Sequence, residues 1–379
     1  MFSVQKMLCA TLAAAVVASP TPVPDVAGQA LQPTEGTQHR GGHATDRQVR
    51  RRHTMKYAGE VKPSMELWAQ LAHHPMSSGF DGDRKVAMNL YVQESAVGAN
   101  YTLKALPESF TWADVQGRSY LTPIRNQHIP TYCGSCWAFA ATSTIADRWN
   151  VALKGKKGVP QPDLLLSTQN VLSCGNEAVQ CGTCGGGDQA GVYKYGEEHG
   201  IPHESCSNYM AQDTTCSAEL PPFGQNRPPC YNCDEKAKCY AIAEYHKLFV
   251  KQGSTMLMTS ETPGDTIDPM KREILAHGPI SCGIMATKKM EHGYKGGIFS
   301  EETNDSDARI NHVVSVVGWG VDPDTKDKYW HVRNSWGGEW GDLGFAKIVT
   351  SDNAGPAGNG NNFLEHECVF AKPDRYAYS

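Results

Sequence analysis

The apolar residues that follow Cys136 have the spacing of a helix. One of them recurs at every fourth position, namely Trp137, Ala141, Ile145 and Trp149. This spacing places the four side chains on one face of an α-helix. We therefore predict a helix that begins at Cys136.

Two later apolar runs have the composition of buried strands. Residues 313–317 are mostly valine, and residues 329–332 combine aromatic and β-branched side chains. Gly318 begins the turn region that separates them, and such runs bounded by turn residues are typical of strands. The chain thus reads as a helical half followed by a strand-rich half, which predicts an α+β fold.

The N-terminus has the pattern of a secretory signal peptide. Lys6 precedes an apolar run at 7–18, and the small residues Ala18 and Ser19 precede a proline-rich stretch. The run is shorter than the roughly 20 residues that a membrane span needs, although a membrane anchor is the alternative. We predict a signal peptide at 1–19.

A pro-region at 20–105 is predicted to follow the signal peptide. It contains no cysteine, and its first part combines prolines with a basic tract that ends in three arginines at 50–52. This tract is either a processing site or a solvated tail. Cysteine, glycine and tryptophan become dense after Leu106, so we place the mature domain at 106–379. Within it, residues 217–235 are rich in proline and cysteine and are predicted to form a loop.

Composition narrows the class of protein further. The net charge is −5 with 14 histidines taken as neutral, so no basic excess favours nucleic acid. Thirteen cysteines in 379 residues suggest an oxidising compartment in which disulfides persist. Asn100 and Asn304 begin glycosylation sequons, which fit the same route.

The segment Cys133-Gly134-Ser135-Cys136-Trp137 carries the sharpest chemical signal. A helix N-terminus lowers the pKa of a thiol, and a neighbouring imidazolium lowers it further, so Cys136 is a candidate nucleophile. Three alternatives stay open on these residues alone. The cysteines are structural partners, the motif belongs to a thiol–disulfide oxidoreductase, or Cys181, Cys184, Cys230 and Cys233 hold zinc.

Four separated motifs resemble those of the papain family of cysteine peptidases. They are the Cys133–Trp137 motif above and the segments 106–112, 311–314 and 334–337. The resemblance implies a two-lobed fold, with a helical lobe packed on a β-barrel-like lobe and the cleft between them. It also implies that His312 is the general base, that Asn334 orients its imidazole and that Trp336 shields their hydrogen bond.

The resemblance assigns further roles around Cys136. Gln127 would stabilise the oxyanion together with a backbone N–H group. The short insertion at 128–130 is similar to that of a carboxypeptidase branch of the family, in which the equivalent of His128 binds the C-terminal carboxylate of the substrate. An incidental surface histidine, or an endopeptidase or dipeptidase whose insertion swings aside, is the alternative. Gly186 and Gly187 would lie along the substrate backbone.

The resemblance also implies a disulfide pattern that leaves Cys136 free. The pairs are Cys133–Cys184, Cys174–Cys216, Cys206–Cys230, Cys233–Cys239 and Cys282–Cys368. Cys181 departs from this pattern and is predicted to be free, modified or exchanged with Cys184. The expected partners are peptides or proteins with a free C-terminus, and protein inhibitors. We expect no metal, cofactor, nucleic acid or membrane span, a monomer, and a lysosome-like compartment or secretion.

Overall fold

The structure is a computed structural model that describes residues 106–153, 164–217, 226–236, 238–259, 264–302, 309–354 and 360–378. The predicted signal peptide and pro-region, and both sequon asparagines, lie outside these residues. Their assignments therefore stay predictions.

Five α-helices belong to the described part of the chain. They are α1 (Cys136–Ala152), α2 (Thr168–Asn170), α3 (Asn176–Val179), α4 (Gln189–Glu198) and α5 (Ile267–His277). Two π-helical turns, Val171–Gly175 and Lys289–Gly293, and two 3-10 turns, Glu204–Cys206 and Ser351–Asn353, accompany them. Helix α1 begins at Cys136, as its four-residue spacing predicts. Its buried residues lie on every face of the helix, not on one stripe alone.

The strands are mostly short. They are β1 (Phe110–Thr111), β2 (Gly182–Thr183), β3 (Gly186–Gly187), β4 (Ile201–Pro202), β5 (Thr215–Cys216), β6 (Asn226–Arg227), β7 (Tyr231–Cys233), β8 (Cys239–Ala241), β9 (His246–Val250), β10 (Met256–Met258), β11 (Ile280–Ile284), β12 (Ile298–Phe299), β13 (His312–Val321), β14 (Lys328–Arg333), β15 (Phe345–Val349), β16 (Cys368–Phe370) and β17 (Pro373–Tyr378).

The main sheet is open rather than barrel-like. Its strand order is β10-β16-β11-β13-β14-β15-β12, with β1 added on β13, and in the described residues no pairing joins β10 to β12. The two valine and aromatic runs form β13 and β14, which pair antiparallel with Val316 opposite Val332. Only β12 and β15 of this sheet run parallel. The papain-like division into two halves holds, but within the described residues the sheet of the strand-rich half is not closed.

The segment predicted as a loop at 217–235 contains strands. Tyr231–Cys233 pairs antiparallel with Cys239–Ala241, and the Cys233–Cys239 disulfide lies at the end of this ladder. The loop prediction was wrong here because composition does not register pairing with a later segment. Asn226–Arg227 likewise pairs with Thr215–Cys216.

Each half of the fold has its own apolar core. The helical half packs Trp137, Ile145 and Tyr193 with the helices around them. The strand-rich half buries Trp330, Met270 and neighbouring side chains between α5 and the sheet. Burial of such large side chains contributes roughly 1.5–3 kcal/mol each.

A buried ion pair joins the two halves. Arg333 of β14 donates from Nη2 to Oδ2 of Asp147 on α1 at 2.5 Å, and from Nη1 to the Thr122 carbonyl at 3.1 Å. The backbone N–H of Thr122 donates to the other Asp147 oxygen at 2.6 Å. Because the charges and their hydrogen bonds are all internal, α1 has a defined position against the sheet.

Candidate active site

The backbone before Cys136 is held by tight packing. Gly134 donates its N–H to the Cys184 carbonyl at 2.7 Å, and a Cβ at Gly134 would lie 2.6 Å from that oxygen. The Cys133–Cys184 disulfide closes the same contact. Only glycine allows this approach, so the packing sets the point at which α1 begins and presents Cys136.

Burial governs the protonation of the Cys136 thiol. The residue is 4% exposed, and burial raises the pKa of the Cys136 thiol to about 11, although backbone N–H groups, including that of Val313, act in the opposite direction. Cys136 and Val313, the residue that follows His312, belong to the same buried cluster. The position of Cys136 at a helix N-terminus predicted a thiolate. Desolvation of the buried sulfur opposes that charged form.

His312 begins β13 and is 3% exposed. Its Nε2 lies 2.8 Å from Asn334 Oδ1, and the N–H of Ser335 donates to the same oxygen at 2.7 Å. The Asn334 side-chain oxygen can only accept hydrogen bonds, so the ring nitrogen that faces it must be the donor. Nε2 therefore carries the proton in the neutral imidazole. Nδ1 is then the basic nitrogen.

Trp336 covers the imidazole. Its ring stacks on His312 with 4.5 Å between centroids and an angle of 26°. Burial lowers the pKa of His312 to about 4, the Asn334 hydrogen bond acts upward, and a charge on His128 acts downward. Burial therefore opposes the charged form of the thiol and of the imidazole, each taken singly.

Gln127 is buried beside the nucleophile helix. Its Nε2 donates to the Cys133 carbonyl at 3.0 Å, and its Oε1 accepts from Ser335 Oγ at 2.7 Å. Its own carbonyl accepts from Tyr209 Oη at 2.7 Å. These bonds orient the amide and leave one N–H of Nε2 for another acceptor. Sequence reasoning missed both residues: Ser335 lies within the 334–337 motif but received no role, and Tyr209 has no local signature.

The backbone before His128 is attached to the segment that carries Asn334. Gln127 donates its N–H to the Ser335 carbonyl at 2.8 Å, and Asn126 Nδ2 donates to the Trp336 carbonyl at 3.2 Å. Asn126 Oδ1 in turn accepts the N–H of His128 at 2.9 Å. The insertion therefore starts from a fixed point beside the segment that carries Asn334.

The His128 ring has an unused polar atom. Nδ1 is buried without a hydrogen-bond partner among the described residues, and burial lowers the pKa of His128 to about 4. The ring stacks on Tyr132 at 4.8 Å between centroids and an angle of 8°. Tyr132 was also missed, although an aromatic residue four positions after His128, just beyond the insertion, was the available signal.

Comparison with known proteins identifies the family. The model of the papain family cysteine proteases matches residues 106–369. The chain belongs to this family. It is 42% identical over 274 residues to cathepsin Z of Onchocerca volvulus, a match that covers 72% of this chain and 80% of that protein. Cathepsin K of Mus musculus is 31% identical over 242 residues, covering 63% of this chain and 60% of that one.

Solved structures of papain-like peptidases share the fold. A structure from work on the mite allergens Blo t 1 and Der p 1 has a TM-score of 0.56 at 22% identity, covering 80% of this chain and 81% of that one. Procathepsin L2 from the Tenebrio molitor larval midgut has a TM-score of 0.51 at 24% identity, covering 74% and 73%. The chain is thus a papain-like cysteine peptidase, and the oxidoreductase alternative falls.

The glycines predicted to line the substrate lie inside the helical half. Gly186 and Gly187 form β3, which pairs with Gly182–Thr183 and is buried. A Cβ at Gly187 would lie 2.3 Å from Cε2 of Trp137. Their visible function is close packing, and contact with substrate stays a prediction.

The remaining cysteines exclude the zinc alternative. Cys184, Cys230 and Cys233 are each in a disulfide, and no cluster of potential metal ligands occurs in the described residues. The disulfides are Cys133–Cys184, Cys174–Cys216, Cys206–Cys230, Cys233–Cys239 and Cys282–Cys368. Cys181 is a buried free thiol, and burial raises its pKa. None of the described helices has the length and apolarity needed to cross a membrane.

Proposed function

We propose that the protein is a cysteine-type carboxypeptidase that removes single residues from the C-termini of peptides through a thioester. The observation that carries this proposal is the unpartnered Nδ1 of His128 in the same site as His312. A buried polar atom without a partner is costly. A substrate carboxylate at this position would provide the missing partner.

The proposed reaction begins at Cys136 and His312. Cys136 Sγ attacks the last peptide carbonyl while His312 Nδ1 takes the thiol proton as general base. The backbone N–H of Cys136 and the free N–H of Gln127 stabilise the oxyanion. Collapse breaks the C–N bond, and His312 returns the proton to the departing amino group. Water, activated by His312, then hydrolyses the thioester.

His128 would select the free C-terminus. At rest, burial keeps its imidazole mostly neutral at pH 5, because its pKa is about 4. A bound carboxylate favours the charged form and raises that pKa, so the substrate itself recruits the proton. An amide end supplies no such charge. We therefore expect the preference for free acids over amides to grow as the pH falls from 6 toward 4.

The test compares one peptide as free acid and as C-terminal amide. Products are identified by mass spectrometry and kcat/KM is measured between pH 4 and pH 6. Loss of a single residue from the acid alone supports the proposal. A charge-assisted hydrogen bond contributes about 1.5–3 kcal/mol, so His128→Ala should lower kcat/KM for the acid by about 10- to 100-fold and leave the amide unchanged.

A control separates this effect from a general loss of histidine. His203→Ala removes a half-buried ring that caps the 3-10 turn Glu204–Cys206 and should leave the acid-to-amide ratio as in the wild type. Internal cleavage of both peptides at similar rates would contradict the proposal and favour an endopeptidase.

Passage through the secretory pathway is part of the proposal. Five disulfides with separations of 6 to 86 residues need an oxidising compartment to form. This supports the predicted signal peptide, and it fits secretion and an acidic, lysosome-like compartment equally. N-terminal sequencing of the precursor that still carries the pro-region tests it, because its chain should begin after residue 19.

A further inference from the structure

A tyrosine hydroxyl joins the two segments that carry the proposed oxyanion donors. Tyr209 Oη lies 2.7 Å from the Gln127 carbonyl oxygen and 2.7 Å from Ser135 Oγ. Gln127 carries the side-chain donor, and Ser135 directly precedes Cys136, whose backbone N–H is the second donor. Gln127 and Ser135 are both buried. The hydroxyl therefore bridges the two donor segments in the interior, where water does not readily replace it.

The direction of both hydrogen bonds is fixed by the chemistry of the groups. A carbonyl oxygen only accepts, so the single phenol hydrogen of Tyr209 must be donated to Gln127. Ser135 Oγ must then donate its own hydrogen to Tyr209 Oη. Burial raises the pKa of the Tyr209 phenol, so the hydroxyl keeps its hydrogen at acidic and neutral pH. The two donor segments are thus joined by one directed chain of hydrogen bonds.

The tyrosine is itself held by groups on its other side. Its backbone N–H donates to Glu204 Oε1 at 2.8 Å, and Arg125 Nη2 donates to the other oxygen of this carboxylate at 2.8 Å. The Tyr209 ring meets Phe139 of α1 edge to face at 4.6 Å. The Arg125 guanidinium lies over the same Phe139 ring at 4.5 Å. These contacts fix the place of the hydroxyl independently of the two segments that it bridges.

We propose that Tyr209 is a positioning residue that holds the two oxyanion donors in register. It acts through the backbone of Gln127 and of Ser135 rather than on a reacting atom. This inference rests on the oxyanion roles given under the proposed function. Complete loss of one oxyanion donor typically lowers kcat by about 100- to 1000-fold. Loss of the bridge leaves both donors present but misaligned, so we expect a smaller effect of about tenfold.

The test is Tyr209→Phe, which removes the hydroxyl and keeps the ring against Phe139. On a peptide that the wild type cuts, kcat should fall about tenfold with KM unchanged, because the oxyanion forms only in the transition state. Iodoacetamide forms a C–S bond to Cys136 with loss of iodide and no oxyanion. The alkylation rate should therefore stay within about threefold of the wild type.

A double-mutant cycle with Gln127→Ala separates alignment from a general structural effect. In that background the pair of donors no longer exists, so Tyr209→Phe should change kcat by less than about threefold. Tyr195→Phe is the matched control. This buried hydroxyl of α4 donates to Asn170 Oδ1 at 3.1 Å, so its loss should lower the Tm and leave kcat unchanged. Thermal unfolding of every variant accompanies the kinetics.

Several results would overturn the role of Tyr209. They are a kcat of Tyr209→Phe within about threefold of the wild type, equal losses in kcat and in alkylation rate, an equal loss in both backgrounds, and failure of the variant to fold. An endopeptidase forms the same oxyanion, so refutation of the carboxypeptidase proposal leaves this test in force. Gln127→Ala with wild-type kcat would instead refute the oxyanion assignment, and the role of Tyr209 with it.

Discussion

Removal of the Asn334 side chain tests the proposed positioning of the base. In Asn334→Ala, two buried donors lose their shared acceptor, namely His312 Nε2–H at 2.8 Å and the N–H of Ser335 at 2.7 Å. Both residues are under a tenth exposed, so water does not readily replace the oxygen. A buried donor left unsatisfied costs about 1–3 kcal/mol.

Part of that cost falls on the reaction. The Asn334 hydrogen bond raises the pKa of His312 against burial, so its loss makes His312 a weaker base and frees its tautomer. If about 2 kcal/mol is expressed in the transition state, kcat/KM falls about 30-fold, since 1.4 kcal/mol corresponds to a factor of ten. The rate at which iodoacetamide alkylates Cys136 between pH 5 and pH 8 provides a second readout that does not depend on substrate binding.

The matched control is Asn150→Ala. Asn150 is also buried, at 6% exposure, but lies in the last turn of α1, where Nδ2 donates to the Tyr120 carbonyl at 3.3 Å. It should lower the melting temperature without changing kcat/KM of the folded enzyme. If Asn334→Ala stays within threefold of the wild type in kcat/KM and alkylation rate, the positioning argument is refuted.

Three further predictions concern stability. Gly187→Ala places a Cβ 2.3 Å from the Trp137 ring. It should lower the free energy of unfolding by about 1–3 kcal/mol, which is measured as a lower Tm. An unchanged Tm contradicts the packing argument. Arg333→Met leaves Asp147 charged and buried and should lower the free energy of unfolding in denaturant by about 3–5 kcal/mol. The double variant with Asp147→Leu should recover part of that loss. No recovery would count against the ion pair. Burial lowers the pKa of His331 from 6.5 to about 4, so the unfolded chain binds more protons between these values. Stability is therefore lost as pH falls through that window, by about 2–3 kcal/mol at pH 4.5, and His331→Gln should flatten the loss between pH 7 and pH 4.5; an equal slope refutes it.

Local sequence was sufficient for the elements that carry the proposed catalytic pair. The four-residue spacing after Cys136 predicted α1, and the valine run predicted β13, because periodicity reports which face of an element is buried. The short strand at Tyr231–Cys233 was missed for the converse reason. Its hydrogen bonds go to Cys239–Ala241, and composition within a window does not contain that partner.

The sequence likewise predicted some residues of the site and missed others. Family motifs pointed to Cys136, His312, Asn334 and Gln127, since their residue types and order are characteristic. Nothing in those motifs indicated that burial would favour neutral forms of the thiol and the imidazole. Tyr209 has no motif, and only the folded chain brings its hydroxyl to the Gln127 carbonyl, 82 positions away.

The sequence by itself determined the residue types, the positions of α1 and of the long strands, and the family. Tertiary structure alone decided which groups meet, how far each is desolvated and which polar atoms remain without a partner. The physical reason is that periodicity and turn chemistry act over a few residues. Desolvation and hydrogen bonding at the site depend instead on segments as distant in the chain as Gln127 and Ser335, which lie 208 positions apart and meet at 2.7 Å.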